Sequence, residues 1–96
     1  MKIDFNKNGE NLYISIEGRL DTLTSSELES FIRDNSVGVG AIEINCEKLS
    51  YISSAGLRVL LSVHKKMGGA LTLTNVCELV MEVFEITGFV DILAIK

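Results

Sequence analysis

The stretch Tyr51-Ile52-Ser53-Ser54-Ala55-Gly56-Leu57 leaves the chain little choice of local structure. An apolar pair runs straight into two serines, two small residues and an apolar helical run. A strand therefore leaves its sheet and a helix starts at once. With Ser53 as the N-cap, its hydroxyl accepts from the N–H of Ala55 or Gly56. Ile52 then falls at N′ and Leu57 at N4, the pair that forms a hydrophobic staple. Ser54 becomes the first helical residue, beside the free N–H groups and the positive end of the helix dipole. Small neighbours leave its hydroxyl open to a visitor. Two serines ahead of a helix are, taken alone, ordinary caps, so the rest of the chain must decide whether Ser54 does more.

Upstream, Met1–Phe5 and Asn11–Glu17 read as strands, with Asn8-Gly9 between them as a type I′ turn signal for an antiparallel hairpin. Leu12, Ile14 and Ile16 share one face of the second strand, and Tyr13, Ser15 and Glu17 the other. Gly18-Arg19-Leu20-Asp21 leads to a first helix over about Thr24–Arg33, with Thr24 and Glu27 as its capping box and Leu23 and Leu28 as its staple. Asp21, at that join, reads on spacing alone as a loop acid. Ala41–Cys46 is a third strand, Glu47-Lys48 a polar break, and Leu49 and Tyr51 resume the apolar alternation. The second helix spans Ser54 to about Met67. Leu57, Leu60, Leu61 and His64 form its stripe, so Leu57 and Leu61 are expected in the core. Ala70–Thr74 is a fourth strand, Asn75 and Glu78 a cap pair for a third helix with Leu79, Val80, Val83 and Phe84 inward, and Asp91–Ile95 a last strand. The order ββαβαβαβ predicts an α/β single domain over residues 1–96. Its mixed sheet has about five strands, with helices mainly on one face.

Composition narrows the function classes. Of the 96 residues, 47% are hydrophobic and only 6% aromatic, which makes an aliphatic core. No apolar run approaches the ~20 residues of a membrane-spanning helix, and the first residues hold no signal-like stretch, so a cytoplasmic protein without membrane insertion is expected. A net charge of −4 argues against binding nucleic acid or an anionic membrane. Cys46 and Cys77 lack metal-site spacing and read as free thiols packed as small apolar groups. His64, the single histidine, has neither a partner acid nor a nucleophile nominated beside it. No phosphate-cradling glycine loop and no catalytic triad or carboxylate pair is visible. Neither a cofactor nor a metal is expected, and the chain is not read as an enzyme.

The chain resembles the STAS family, the domain of bacterial anti-sigma factor antagonists. The resemblance rests on Gly18-Arg19-Leu20-Asp21, on Leu49-Ser50-Tyr51-Ile52-Ser53-Ser54-Ala55-Gly56-Leu57-Arg58-Val59-Leu60-Leu61, and on Val83-Phe84-Glu85-Ile86-Thr87-Gly88-Phe89. In that family the serine two residues before the motif's glycine is phosphorylated by an anti-sigma factor that is itself a serine/threonine kinase. That position is Ser54 here. The resemblance implies partner switching in transcription regulation: the unmodified protein binds the kinase, phosphorylation ends the binding, and a phosphatase acting on phospho-Ser54 restores it. Asp21, Ser53, Ala55, Gly56, Leu57 and Arg58 are the expected partner-binding residues, all at the C-terminal ends of strands. Gly56 is expected to let a partner backbone come close. Well-studied antagonists carry Asp where this chain has Ser53, and a terminal helix found in many of them has no counterpart in these residues. The family also includes a subunit of a lipid-transport ATPase complex. That leaves a second reading, a docking module whose Ser54 is never modified.

Overall fold

The alternation of Leu12, Ile14 and Ile16 against Tyr13, Ser15 and Glu17 describes a strand with one dry face. The computed structural model, which describes residues 1–96, builds its sheet around that strand. The elements in order are β1 (Lys2–Asn8), β2 (Asn11–Leu20), α1 (Thr22–Asn35), β3 (Ala41–Ile52), α2 (Ser54–Lys66), β4 (Leu71–Thr74), α3 (Glu78–Thr87), a 3-10 turn (Phe89–Asp91) and β5 (Ala94–Ile95). The five strands lie side by side in sequence order. β1 is antiparallel to β2, and every later neighbour is parallel. Helices supply the three crossovers, as parallel neighbours require. Leu12, Ile14, Ile16 and Leu20 of β2 enter one core with Leu28 and Ile32 of α1, Leu57, Leu60 and Val63 of α2, and Val80 and Phe84 of α3. Tyr13, Glu17 and Arg19, on the other face of β2, stay exposed.

The hairpin departs from its expected turn. Asn8 pairs with Asn11, so the loop is Gly9-Glu10. Among these residues only Gly9 has positive φ, at 63°. A type I′ turn needs two such residues, whereas one at the first central position is the II′ pattern.

β3 is one twelve-residue strand, not a strand, a break and a resumption. Against β2 its register slips twice: Ser15 faces Asn45 but Glu17 faces Lys48, and Gly18 faces Leu49 but Arg19 faces Tyr51. Each slip is a bulge that adds one residue to β3. Each extra residue moves the next inward position one place along the chain, so Cys46, Leu49 and Ile52, three apart, all point into the core. Tyr51, expected inward, lies outside with the Arg19 guanidinium 4.0 Å above its ring. Gly18, at φ 110°, permits the second slip, and the Ser50 hydroxyl donates to its carbonyl at 3.1 Å.

Other expectations also shift. Leu61 is only half-buried, whereas Leu57 and Leu60 of the same stripe are in the core as expected, joined by Val59 and Val63. The last strand shrinks to Ala94–Ile95 because Phe89–Asp91 coils into the 3-10 turn. Asn75 does not cap α3: it sits at φ 55° and donates to the Asn45 side chain at 3.2 Å, leaving Cys77 as the N-cap. Leu79 is outside rather than inward, while Gly88 ends α3 at φ 81° as expected. Both cysteines are free thiols. Burial, helped by Cys77 nearby, pushes the Cys46 thiol up to about 12, so it stays protonated and packs as an apolar group.

Truncating Leu60, which is 1% exposed, to Ala is expected to lower stability by about 2–5 kcal/mol. The half-buried Leu61→Ala should lose clearly less. Denaturant midpoints of the two variants check this order, and a larger loss at Leu61 would contradict the observed helix face.

Candidate functional site

β2 and β3 run parallel and end together, with Leu20 beside Ile52. A helix follows each within two residues, so the N-termini of α1 and α2 emerge at the same edge of the sheet. The join is made by one carbonyl. The oxygen of Leu20 accepts from the backbone N–H of Ser53 at 2.9 Å and from the Ser53 hydroxyl at 3.0 Å. The same hydroxyl accepts from the N–H of Gly56 at 3.2 Å, which caps α2 as the sequence predicts. Ser53 is therefore half-buried and committed as both donor and acceptor. Ser54, the first residue of α2, is exposed, and no acidic residue occupies the first turn of that helix.

Asp21 is not a loop acid, and Thr24 is not the N-cap. Asp21 caps α1: one carboxylate oxygen accepts from the N–H groups of Thr24 at 3.0 Å and Leu23 at 3.1 Å. The Thr24 hydroxyl accepts in turn from the Asp21 N–H at 2.8 Å, which closes a capping box one turn earlier than the expected Thr24/Glu27 pair. The hydroxyl's single proton is shared between the Arg19 carbonyl at 2.6 Å and the Asp21 carboxylate at 3.0 Å. Leu23, displaced from its staple, is 73% exposed. The Thr24 N–H and hydroxyl, then the Leu23 N–H and Arg19, hold the Asp21 carboxyl below its ordinary value of 3.8.

The edge brings Asp21, Ser53 and Ser54 together, with Ala55 half-buried and Arg58 exposed beside them. Two expected contact residues turn inward instead. Gly56 is buried, and a Cβ there would stand 2.8 Å from Cγ1 of Ile52 and 2.9 Å from Cγ and Cδ2 of Leu20. The close approach that glycine allows is to the protein's own core, not to a partner backbone. Leu57 is 7% exposed and belongs to the core. A groove of about 350 Å³ runs from this edge between α1 and α2, lined by Thr22, Ser26, Glu29, Ala55, Arg58 and Ser62, among others. Sequence reasoning missed its α1 wall, because Ser26 and Glu29 belong to no motif and only the packing of α1 beside α2 brings them to one groove with Arg58. No helix is long and apolar enough to cross a membrane, and no cluster of His, Cys, Asp and Glu is arranged to hold a metal ion.

A family model for the STAS domain matches residues 2–96. The chain is 29% identical over 99 residues to the anti-sigma-B factor antagonist of Bacillus subtilis, covering 100% of this chain and 91% of that protein. It is 34% identical over 96 residues to the protein BtrV of Bordetella bronchiseptica, covering 96% of this chain and 83% of the other. The solved structure of the anti-sigma factor antagonist SpoIIAA in its unphosphorylated form superposes with a TM-score of 0.83 at 20% identity, over 99% of this chain and 88% of that one. Its phosphorylated form, from Bacillus, superposes at 0.75 and 21% identity, over 99% and 91%.

Two outcomes test the edge itself. Gly56→Ala gains up to about 1 kcal/mol of helix propensity but meets buried side chains at under 3.0 Å, and overpacking of that kind costs about 1–3 kcal/mol. A net fall in the denaturant midpoint is expected. For Asp21 the folded value lies below the unfolded one. Its stabilisation is therefore present above pH 3.8 and lost as the pH falls through the folded value. The difference in melting temperature between parent and Asp21→Asn, followed from neutral pH downward, should hold steady and then shrink below pH 3.8.

Proposed function

We propose that this chain, which belongs to the STAS domain family, is an anti-sigma factor antagonist that binds an anti-sigma factor serine kinase while Ser54 is bare and is released when Ser54 is phosphorylated. The observation that carries the reading is the division between the two serines. Ser53 has its hydroxyl locked between Leu20 and Gly56, whereas Ser54 presents an exposed hydroxyl one residue on. Of these two adjacent serines, a kinase reaching this edge finds Ser54 available. The Bacillus subtilis relative, by its name an antagonist of an anti-sigma-B factor, supports the class of partner. That SpoIIAA, a protein of the same fold, exists in both forms supports the chemistry.

The geometry also fits a switch that leaves the fold alone. Phosphate brings about −1.5 to −2 charges to the first residue of α2, where the free N–H groups and the helix dipole favour an anion by about 0.3–1 kcal/mol at an exposed position. Loss of binding then arises at the interface, where a surface fitted to a bare hydroxyl meets an anion that is costly to desolvate. Ser53 in place of an aspartate does not weaken the cap. A carboxylate would accept from Gly56 but could not donate to the Leu20 carbonyl, and serine does both.

Incubation with the kinase and ATP, followed by peptide mapping, should place one phosphate on Ser54. Ser54→Ala should bind the kinase with the parent's affinity by calorimetry and take no phosphate. Ser54→Asp should keep the parent's circular dichroism and bind much more weakly. Parent-like binding by Ser54→Asp, or partner binding with Ser54 never modified, would favour the docking-module reading instead.

A further inference from the structure

We infer that a phosphate on Ser54 is held by Arg58 of the same helix, an inference that rests on the reading of Ser54 as the modified residue. The two residues stand four apart on α2, and side chains at that spacing are neighbours on one helix face, with Cβ atoms about 5–6 Å apart. Both are exposed. Arg58 is not in an ion pair: the two in the protein are Arg33–Asp34 and Lys48–Glu17. The other arginine at this end of the sheet, Arg19, is occupied over the Tyr51 ring. The carboxylates at this edge do not take Arg58 either. Glu29 lines the same groove as Arg58 without pairing with it, and Asp21 is held by its capping bonds.

A phosphoserine supplies what Arg58 lacks. Its oxygens match the planar guanidinium fork, which binds phosphate through two parallel N–H···O bonds. The order is also the favourable one, with the anion N-terminal to the cation at i, i+4 and so toward the positive end of the dipole. Capture changes the surface twice over. An anion arrives, and the unpaired cation beside it is withdrawn from anything docking on the edge. The pair goes from a net +1 to about −0.5 to −1.

The test installs phosphoserine at position 54 by genetic encoding. It needs no kinase, so a failure of the proposed function, in which no kinase modifies Ser54, leaves this measurement intact. Phosphorus NMR follows the second ionisation of the phosphate in the parent, Arg58→Gln and Arg58→Lys, each folded and in urea, with circular dichroism confirming the fold. The folded parent should titrate below its unfolded form, and Arg58→Gln should return about 0.2–0.7 units of that shift, the scale of an exposed ion pair. Arg58→Lys, which keeps the charge without the fork, should return less than Arg58→Gln. Molar salt should narrow the difference between parent and Arg58→Gln. Identical titrations of the folded parent and Arg58→Gln would overturn the inference and assign any remaining shift to the helix end alone.

Discussion

One carbonyl oxygen sets the layout of this edge. Leu20 is the last residue of β2, and both lone pairs of its oxygen are taken by Ser53, one by the N–H and one by the hydroxyl. The end of one strand is thereby tied to the start of the helix that follows its neighbour. Because α1 begins two residues after Leu20 and α2 directly after its N-cap Ser53, their N-termini cannot separate without breaking these bonds. Gly56 tightens the same joint from below, since its missing Cβ is the space that Leu20 and Ile52 occupy. The exposed serine is a by-product of this construction. Once the first serine is consumed by the joint, the second has nowhere to point but outward.

The joint also depends on the irregularity of β3. Without its two extra residues, strict alternation after Cys46 would turn Lys48 and Ser50 inward, and Ser50 rather than Ile52 would stand beside Leu20. The bulges let a strand two residues longer than its partner end level with it. This is where sequence reasoning had least to hold. Regular alternation made β2 legible, and the serine pair with its apolar flanks made the start of α2 legible to the residue. A bulge, however, changes the period from two to three over a few residues, and in the sequence it looks like a polar break followed by a new strand. Tyr51 therefore reads as part of a resumed apolar alternation with Leu49, although it lies outside. The cap of α1 was missed differently: both Asp21 and Thr24 are good N-caps, and the choice between them lies in where the backbone leaves β2, a tertiary matter. Gly56 carried the right importance and the wrong direction. A small residue beside a candidate site looks the same in sequence whether the close approach is from a partner or from the core.

Duties on this edge are divided among neighbours in a way that suits a residue meant to change its charge. Ser53 and Asp21 cap, Gly56 and Leu57 pack, and none of the four can be altered without disturbing a hydrogen bond or the core. Ser54 and Arg58 do neither. A group added to Ser54 meets no buried neighbour, breaks no cap and lies at the end of a helix that tolerates an anion. On the proposed reading, the energy of modification is therefore not absorbed in rearranging the protein. It stays at the surface, where a partner must deal with it. A switch of this kind needs no second conformation of the fold, only a site whose structural neighbours are all fixed and whose own side chain is not.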